Sequence, residues 1–157
     1  MAARVKSKLS LLYEDDFYAW SRGQAALLRE GRFAELDLEQ LIEEVDDLGG
    51  ALKRSVRSRV RTIVEHLLKL EHSPARDPRG GWYDTIIRQR SDLVDELTAS
   101  LRREVEPDLS TLYDRARSAA ATSQRKHGEA RAADALPADC VYTFDQVIGD
   151  WWPAEQQ

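Results

Sequence analysis

Hydrophobic positions follow helical spacing along almost the whole chain, and no alternating run is long enough to predict a strand. The clearest stripe advances in unbroken steps of three and four residues: Leu38, Leu41, Val45, Leu48, Leu52, Val56, Val60, Ile63, Leu67 and Leu70. The phase survives Gly49-Gly50, and Asp37 with Gln40 resembles a capping box. The pattern therefore predicts one long helix over about 38–72, with a bend at the glycines left open.

Shorter helical patterns surround this stripe, separated by proline, glycine and polar segments. They predict helices over about 15–30, 82–100, 101–105 and 107–124, and a last short helix capped by Thr143 and Gln146. We expect a flexible N-terminus over 1–12 and a linker over 122–136. The chain is thus predicted to be a single domain, 1–157, with an all-α bundle of four to five helices organised around the long helix.

The bulk composition excludes several classes of protein. A chain of 157 residues with a net charge of −5 is long enough for one core, and its acidity argues weakly against broad nucleic-acid binding. No apolar run approaches the roughly 18 residues that a membrane-spanning helix needs. The single cysteine, Cys140, excludes an internal disulfide. We therefore expect a cytoplasmic protein that does not bind membranes.

Several stretches taken together resemble a known family. They are YEDDFYAW, LLREGRFAELDLEQLIEEVDDLG, HLLKLEH, WYDTIIRQR and LPADCVYTFDQVIGDWWP, and they occur in the family's order over roughly residues 13–153. The chain is identified from them as similar to domain-of-unknown-function family 29, a group of small bacterial proteins. The resemblance implies an all-helical cytoplasmic domain, and it implies no catalytic residue, cofactor or substrate.

Arg90 is the most informative polar residue, because it lies in the apolar stripe of its helix between Ile86 and Val94. A buried guanidinium must be paired or line a cavity. Glu44, which flanks the stripe of the long helix, is the partner we expect. An internal ion pair is favoured over a site for an anionic ligand, since perturbed ion pairs are often structural.

Two further residues complete the candidate polar pocket or structural network, which comprises Glu44, His66, Gln89 and Arg90. His66 flanks the long stripe, where a core or interface histidine is favoured over a general base or metal ligand. No H-x-x-x-H, H-E-x-x-H or C-x-x-C pair occurs. We therefore predict no metal, no cofactor and no catalytic residue. Trp151 and Trp152 are interpreted as an anchor for the C-terminal tail.

The long helix carries its acidic residues first and its basic residues later, which suits the helix dipole. The candidate interaction surface is basic: Lys53, Arg54, Arg57, Arg59 and Arg61. Two copies packed antiparallel would set acids against bases, which predicts a homodimer. Contacts with phosphates are another specific interpretation. A solvated face with local ion pairs is favoured over each of these specific interpretations.

The leading functional prediction is a small binding or adaptor module that forms homo-oligomers or binds another protein. The first alternative is a nucleic-acid-associated regulator that uses the basic segment 53–61. The second is an enzyme with a pocket of Arg90, Glu44 and His66, which the sequence does not favour.

Overall fold

The computed structural model describes residues 11–154, and this part of the chain is helical without any strand. The helices are α1 (Leu12–Asp15), α2 (Phe17–Arg29), α3 (Leu38–His72), α4 (Arg79–Glu96), α5 (Ala99–Val105), α6 (Leu109–Lys126), α7 (Ala130–Asp134) and α8 (Phe144–Ile148). Short 3₁₀ turns occur at Phe33–Glu35 and Glu106–Asp108. The all-α prediction and the long helix are confirmed. Of the predicted flexible segment 1–12, residues 1–10 lie outside the described residues.

The described part of the chain divides into two compact units, and the single domain over 1–157 stays a prediction. The N-terminal unit comprises residues 11–50 and the C-terminal unit residues 51–154, so the division falls within α3. Gly49 and Gly50 lie in regular helix just before it. A Cβ added at Gly49 would meet no atom within 4 Å, so no close packing contact requires a glycine there.

The N-terminal unit has a small core. Asp16 caps α2 by accepting a hydrogen bond from the Ala19 amide, and Gly31 ends the helix with a φ of 70°. Its buried apolar residues are Trp20, Leu27 and Leu36. The side-chain carbonyl of the buried Gln24 accepts a hydrogen bond from the Asp37 amide at 2.9 Å, which fixes the residue that precedes α3.

The C-terminal unit is a helical bundle with a much larger core. The later part of α3 supplies Val56, Val60, Ile63, Val64, Leu67, Leu68 and Leu70, all fully buried against residues of α4 to α8. Thr143 and Gln146 form the predicted capping box at the start of α8. The segment 122–136, for which a linker was predicted, holds the last turn of α6 and all of α7. Its small apolar residue Ala133 packs into the core, which accounts for the regular structure there.

The first part of the α3 stripe, predicted as core, is largely on the surface. Leu38, Val45 and Leu48 are exposed in the N-terminal unit, and Leu52 is exposed at the start of the C-terminal unit. The prediction of helix was correct and the prediction of burial was wrong. Periodicity indicates that a helix has an apolar face, whereas burial also needs a covering surface. Residues 11–154 cover these four side chains only in part, since they remain between 45% and 67% exposed.

Candidate functional site

Arg90 is buried in the C-terminal unit and binds backbone carbonyls. Its side chain is 7% exposed. Nε donates to the Val147 carbonyl at 3.0 Å, and Nη2 donates to the carbonyls of Gln146 at 2.9 Å and Trp151 at 2.8 Å. Burial lowers the pKa of the guanidinium, and the charge of Asp150 opposes this shift. Since an arginine remains protonated in proteins, Arg90 is a cation that ties α4 to the end of α8.

The C-terminal tail packs onto the same guanidinium. The Trp152 ring lies 4.7 Å from the Arg90 guanidinium carbon and 5.0 Å from the Tyr83 ring. Trp151 lies beside Tyr142, with the ring centres 5.8 Å apart. Both tryptophans thus make cation–π or aromatic contacts within the C-terminal unit, and their role as a tail anchor stays a prediction.

The expected partner of Arg90, Glu44, has a different contact. Its carboxylate accepts a hydrogen bond from the Tyr13 hydroxyl at 2.6 Å within the N-terminal unit. This bond raises the pKa of Tyr13 to about 12, because the ionised phenol could no longer donate it. The predicted Arg90–Glu44 pairing is therefore wrong. Three carbonyls accept hydrogen bonds from Nε and Nη2 of Arg90, while the buried Nη1 has no hydrogen-bond partner among residues 11–154. A sequence pattern of side chains gives no direct signal of such backbone partners.

The other two residues of the candidate polar network also have separate partners. Gln89 accepts a hydrogen bond from Arg59 at 3.2 Å. His66 donates from Nδ1 to the Thr62 carbonyl, 2.9 Å away on the preceding turn of α3. Burial lowers the pKa of His66, and the nearby Lys69 charge lowers it further. Glu44, His66, Gln89 and Arg90 thus serve four separate local contacts, and these contacts give no support to a shared catalytic pocket.

Three of the five predicted surface bases are held by carboxylates. Lys53 pairs with Glu104 at 3.0 Å, and Arg57 pairs with Asp108. Arg59 pairs with two acids of α4, Asp92 at 2.5 Å and Glu96 at 2.8 Å. The Arg59 guanidinium lowers the pKa of Glu96, and a hydrogen bond from Ser55 adds to this shift.

The other two bases, Arg54 and Arg61, are exposed. Neither lies within ion-pair distance of a carboxylate among residues 11–154. The structure thus divides the predicted basic surface into paired residues, which hold helices together, and two unpaired arginines, which remain available to a ligand.

A further exposed surface is the apolar face of α3, defined as Leu38, Ile42, Val45 and Leu48. These side chains are between 45% and 67% exposed. Four exposed acids lie on the same helix. At 3.6 residues per turn, Glu39 and Asp46 border the apolar face, whereas Glu43 and Asp47 lie on the far side of the helix. None of these acids has an ion-pair partner among residues 11–154.

Sequence reasoning assigned most of this apolar face to the core and so missed it as a surface. Ile42 lies next to Leu41 and widens the stripe beyond a single line of positions, but this feature does not show whether the face is covered.

Two kinds of site find no support in the described part of the chain. No group of three or more His, Cys, Asp or Glu side chains within residues 11–154 is placed to hold a metal ion. Over the same residues, no helix combines the length and the apolar character needed to cross a bilayer.

A family model described as "Domain of unknown function DUF29" matches residues 12–152. The chain belongs to this family. The match confirms the resemblance drawn from the sequence motifs and spans all the helices described above. Neither a curated protein nor a solved structure matches the chain. The DUF29 description assigns no activity, so functional inference rests on the surfaces of the molecule itself.

Proposed function

We propose that the protein is a binding module that docks an amphipathic helix of another protein onto the apolar face of α3. The observation that carries this proposal is the exposure of Leu38, Ile42, Val45 and Leu48 along one helix. Their steps of four, three and three residues match the spacing with which two helices pack side by side. A contiguous exposed patch of this kind is typical of an interaction surface.

The size of the face limits the affinity that it can supply. Full burial of one large aliphatic side chain contributes about 1.5–3 kcal/mol. Since these four side chains are already partly covered, docking would gain roughly half of that for each one. The summed free-energy gain must offset the cost of lost translational freedom and the cost of ordering the partner. The four side chains together would gain about 3–6 kcal/mol, which is less than the roughly 8 kcal/mol of a micromolar complex. The apolar stripe of the partner and its basic flanks must therefore supply the rest of the binding free energy.

Charge favours a partner with basic flanks over a second copy of the chain. The acids beside the apolar face would meet the same acids if two such faces packed together, and like charges in contact disfavour association. The bases that could relieve this repulsion in the predicted homodimer are largely occupied, since Lys53, Arg57 and Arg59 already pair with carboxylates of their own chain. Lysine or arginine beside the apolar stripe of a different partner would complement the acids instead.

The experiment compares two synthetic helical peptides by fluorescence anisotropy. Both carry the same leucine stripe; one is flanked by lysines and the other by glutamates. We expect the lysine-flanked peptide to bind at least about tenfold more tightly, with an affinity that falls as salt is added. The double variant Val45→Ser, Leu48→Ser should weaken that binding by at least about tenfold.

The matched control is Ile87→Ser, Val94→Ser, which changes two exposed apolar residues of α4. It should bind the lysine-flanked peptide like the wild type, and circular dichroism should show every variant folded. Equal binding of both peptides, or equal loss in the control, would overturn the proposal. A dimer in analytical ultracentrifugation that only Val45→Ser, Leu48→Ser abolishes would replace the partner helix with a second copy.

A further inference from the structure

Four arginines line a shallow depression of about 200 Å³ on a separate surface of the C-terminal unit. Arg54, Arg57 and Arg61 come from α3, and Arg115 comes from α6. The three α3 positions recur at spacings of three and four residues, so they share one side of that helix. Ser58 and Leu112 complete the lining.

The local charge of this arginine cluster is strongly positive although the whole chain is acidic. Asp108 pairs with Arg57. No carboxylate among residues 11–154 lies within ion-pair distance of Arg54, Arg61 or Arg115. Four cations less one anion leave a net charge of +3 around one depression. Without a bound anion, the neighbouring guanidinium groups repel each other, so the arrangement has an electrostatic cost that a ligand would relieve.

The lining chemistry indicates which anion fits. Guanidinium groups present planar pairs of N–H donors that match two oxygens of a phosphate group. The Ser58 hydroxyl, which donates to no residue within 11–154, adds a neutral donor at the same place. The buried Leu112 contributes an apolar part of the lining.

We propose that the arginine cluster binds the phosphate groups of a small phosphorylated ligand that carries two or more phosphates. Three unpaired arginines exceed what a single phosphate needs, whereas they match the charge of a diphosphate. The depression of about 200 Å³ accommodates such a group. The net charge of −5 over the whole chain repels a long polyanion, which favours a small ligand over a nucleic-acid strand. This proposal rests on residues separate from the apolar face of α3.

The test is isothermal titration calorimetry of the full chain with pyrophosphate at constant ionic strength. We expect saturable binding at one site. The double variant Arg61→Gln, Arg115→Gln should weaken it by at least about tenfold, because two of the three unpaired charges are removed. The matched control, Arg88→Gln with Arg103→Gln, changes two exposed arginines elsewhere in the same unit and should bind like the wild type.

The alternative ligand is tested with single-stranded and duplex DNA under the same conditions. Each should bind more weakly than pyrophosphate. Tighter binding of either DNA, lost in Arg61→Gln, Arg115→Gln and steeply salt-dependent, would overturn the small-ligand proposal in favour of a nucleic-acid surface. Absence of saturable pyrophosphate binding, or an equal loss in the control variant, would also overturn it.

Discussion

The two ends of helix α3 have the same sequence pattern and opposite environments. Residues 56–70 lie in the C-terminal unit, where twenty apolar residues are buried. Residues 38–48 lie in the N-terminal unit, where the described residues bury three apolar side chains and expose nine large ones. The difference shows that one amphipathic helix can act as a core element along one segment and as an exposed surface along another.

The difference in burial follows from the number of apolar residues that each unit supplies to cover its own segment of α3. The C-terminal unit supplies apolar residues from α4 to α8, which enclose the later part of the stripe. The buried apolar side chains of the N-terminal unit, Trp20, Leu27 and Leu36, are too few to enclose a helix face of several turns. An uncovered face of this kind either has an interaction partner or remains a solubility cost, which the flanking acids reduce.

The largest expected effect on stability is a difference between two leucines of α3, one buried and one exposed. Leu67 is 0% exposed and Leu48 is 67% exposed. We expect Leu67→Ala to lower the free energy of unfolding by about 3 kcal/mol through cavity formation. Leu48→Ala should stay within about 0.5 kcal/mol of the wild type. Urea unfolding followed by circular dichroism measures both, and equal losses would remove the distinction between the two segments.

A second comparison tests the polar anchor that closes the C-terminal unit. Arg90→Met keeps much of the side-chain volume and leaves three carbonyls without their donor. We expect the free energy of unfolding to fall by about 2 to 3 kcal/mol. The control Arg88→Met, at an exposed position two residues earlier in α4, should shift it by less than about 0.5 kcal/mol. A neutral Arg90→Met would show that the carbonyl contacts do not stabilise the tail.

The smallest expected effect is on the pH dependence of stability, and it comes from His66 in α3. Burial holds the pKa of folded His66 below the value of 6.5 that it has when unfolded. The unfolded chain therefore binds more protons in that window, and stability falls as the pH drops below about 6.5. Compared at pH 5 and pH 7.5, His66→Gln should lose less unfolding free energy than the wild type, by about 1 kcal/mol or less. Identical pH dependence in both proteins would contradict this account.

Much of the architecture follows from the sequence, because helix periodicity and capping are local properties. The bounds of α3 and the Thr143–Gln146 capping box belong to this class. The burial of Arg90 was also predictable from its place in a stripe. Its carbonyl partners were not, since a distant backbone group has no sequence signature. Periodicity likewise could not predict the exposure of Val45 and Leu48, because exposure depends on whether other residues cover that face of the helix.

The measurement that tests the central claim most directly is amide hydrogen exchange along α3, with and without the lysine-flanked peptide. In the free protein, residues 38–48 should exchange faster than residues 56–70, because fewer buried contacts hold them. The peptide should slow exchange over 38–48 and leave 56–70 unchanged. Equal protection of both segments in the free protein, or no change on adding the peptide, would contradict the division of α3 into a binding segment and a core segment.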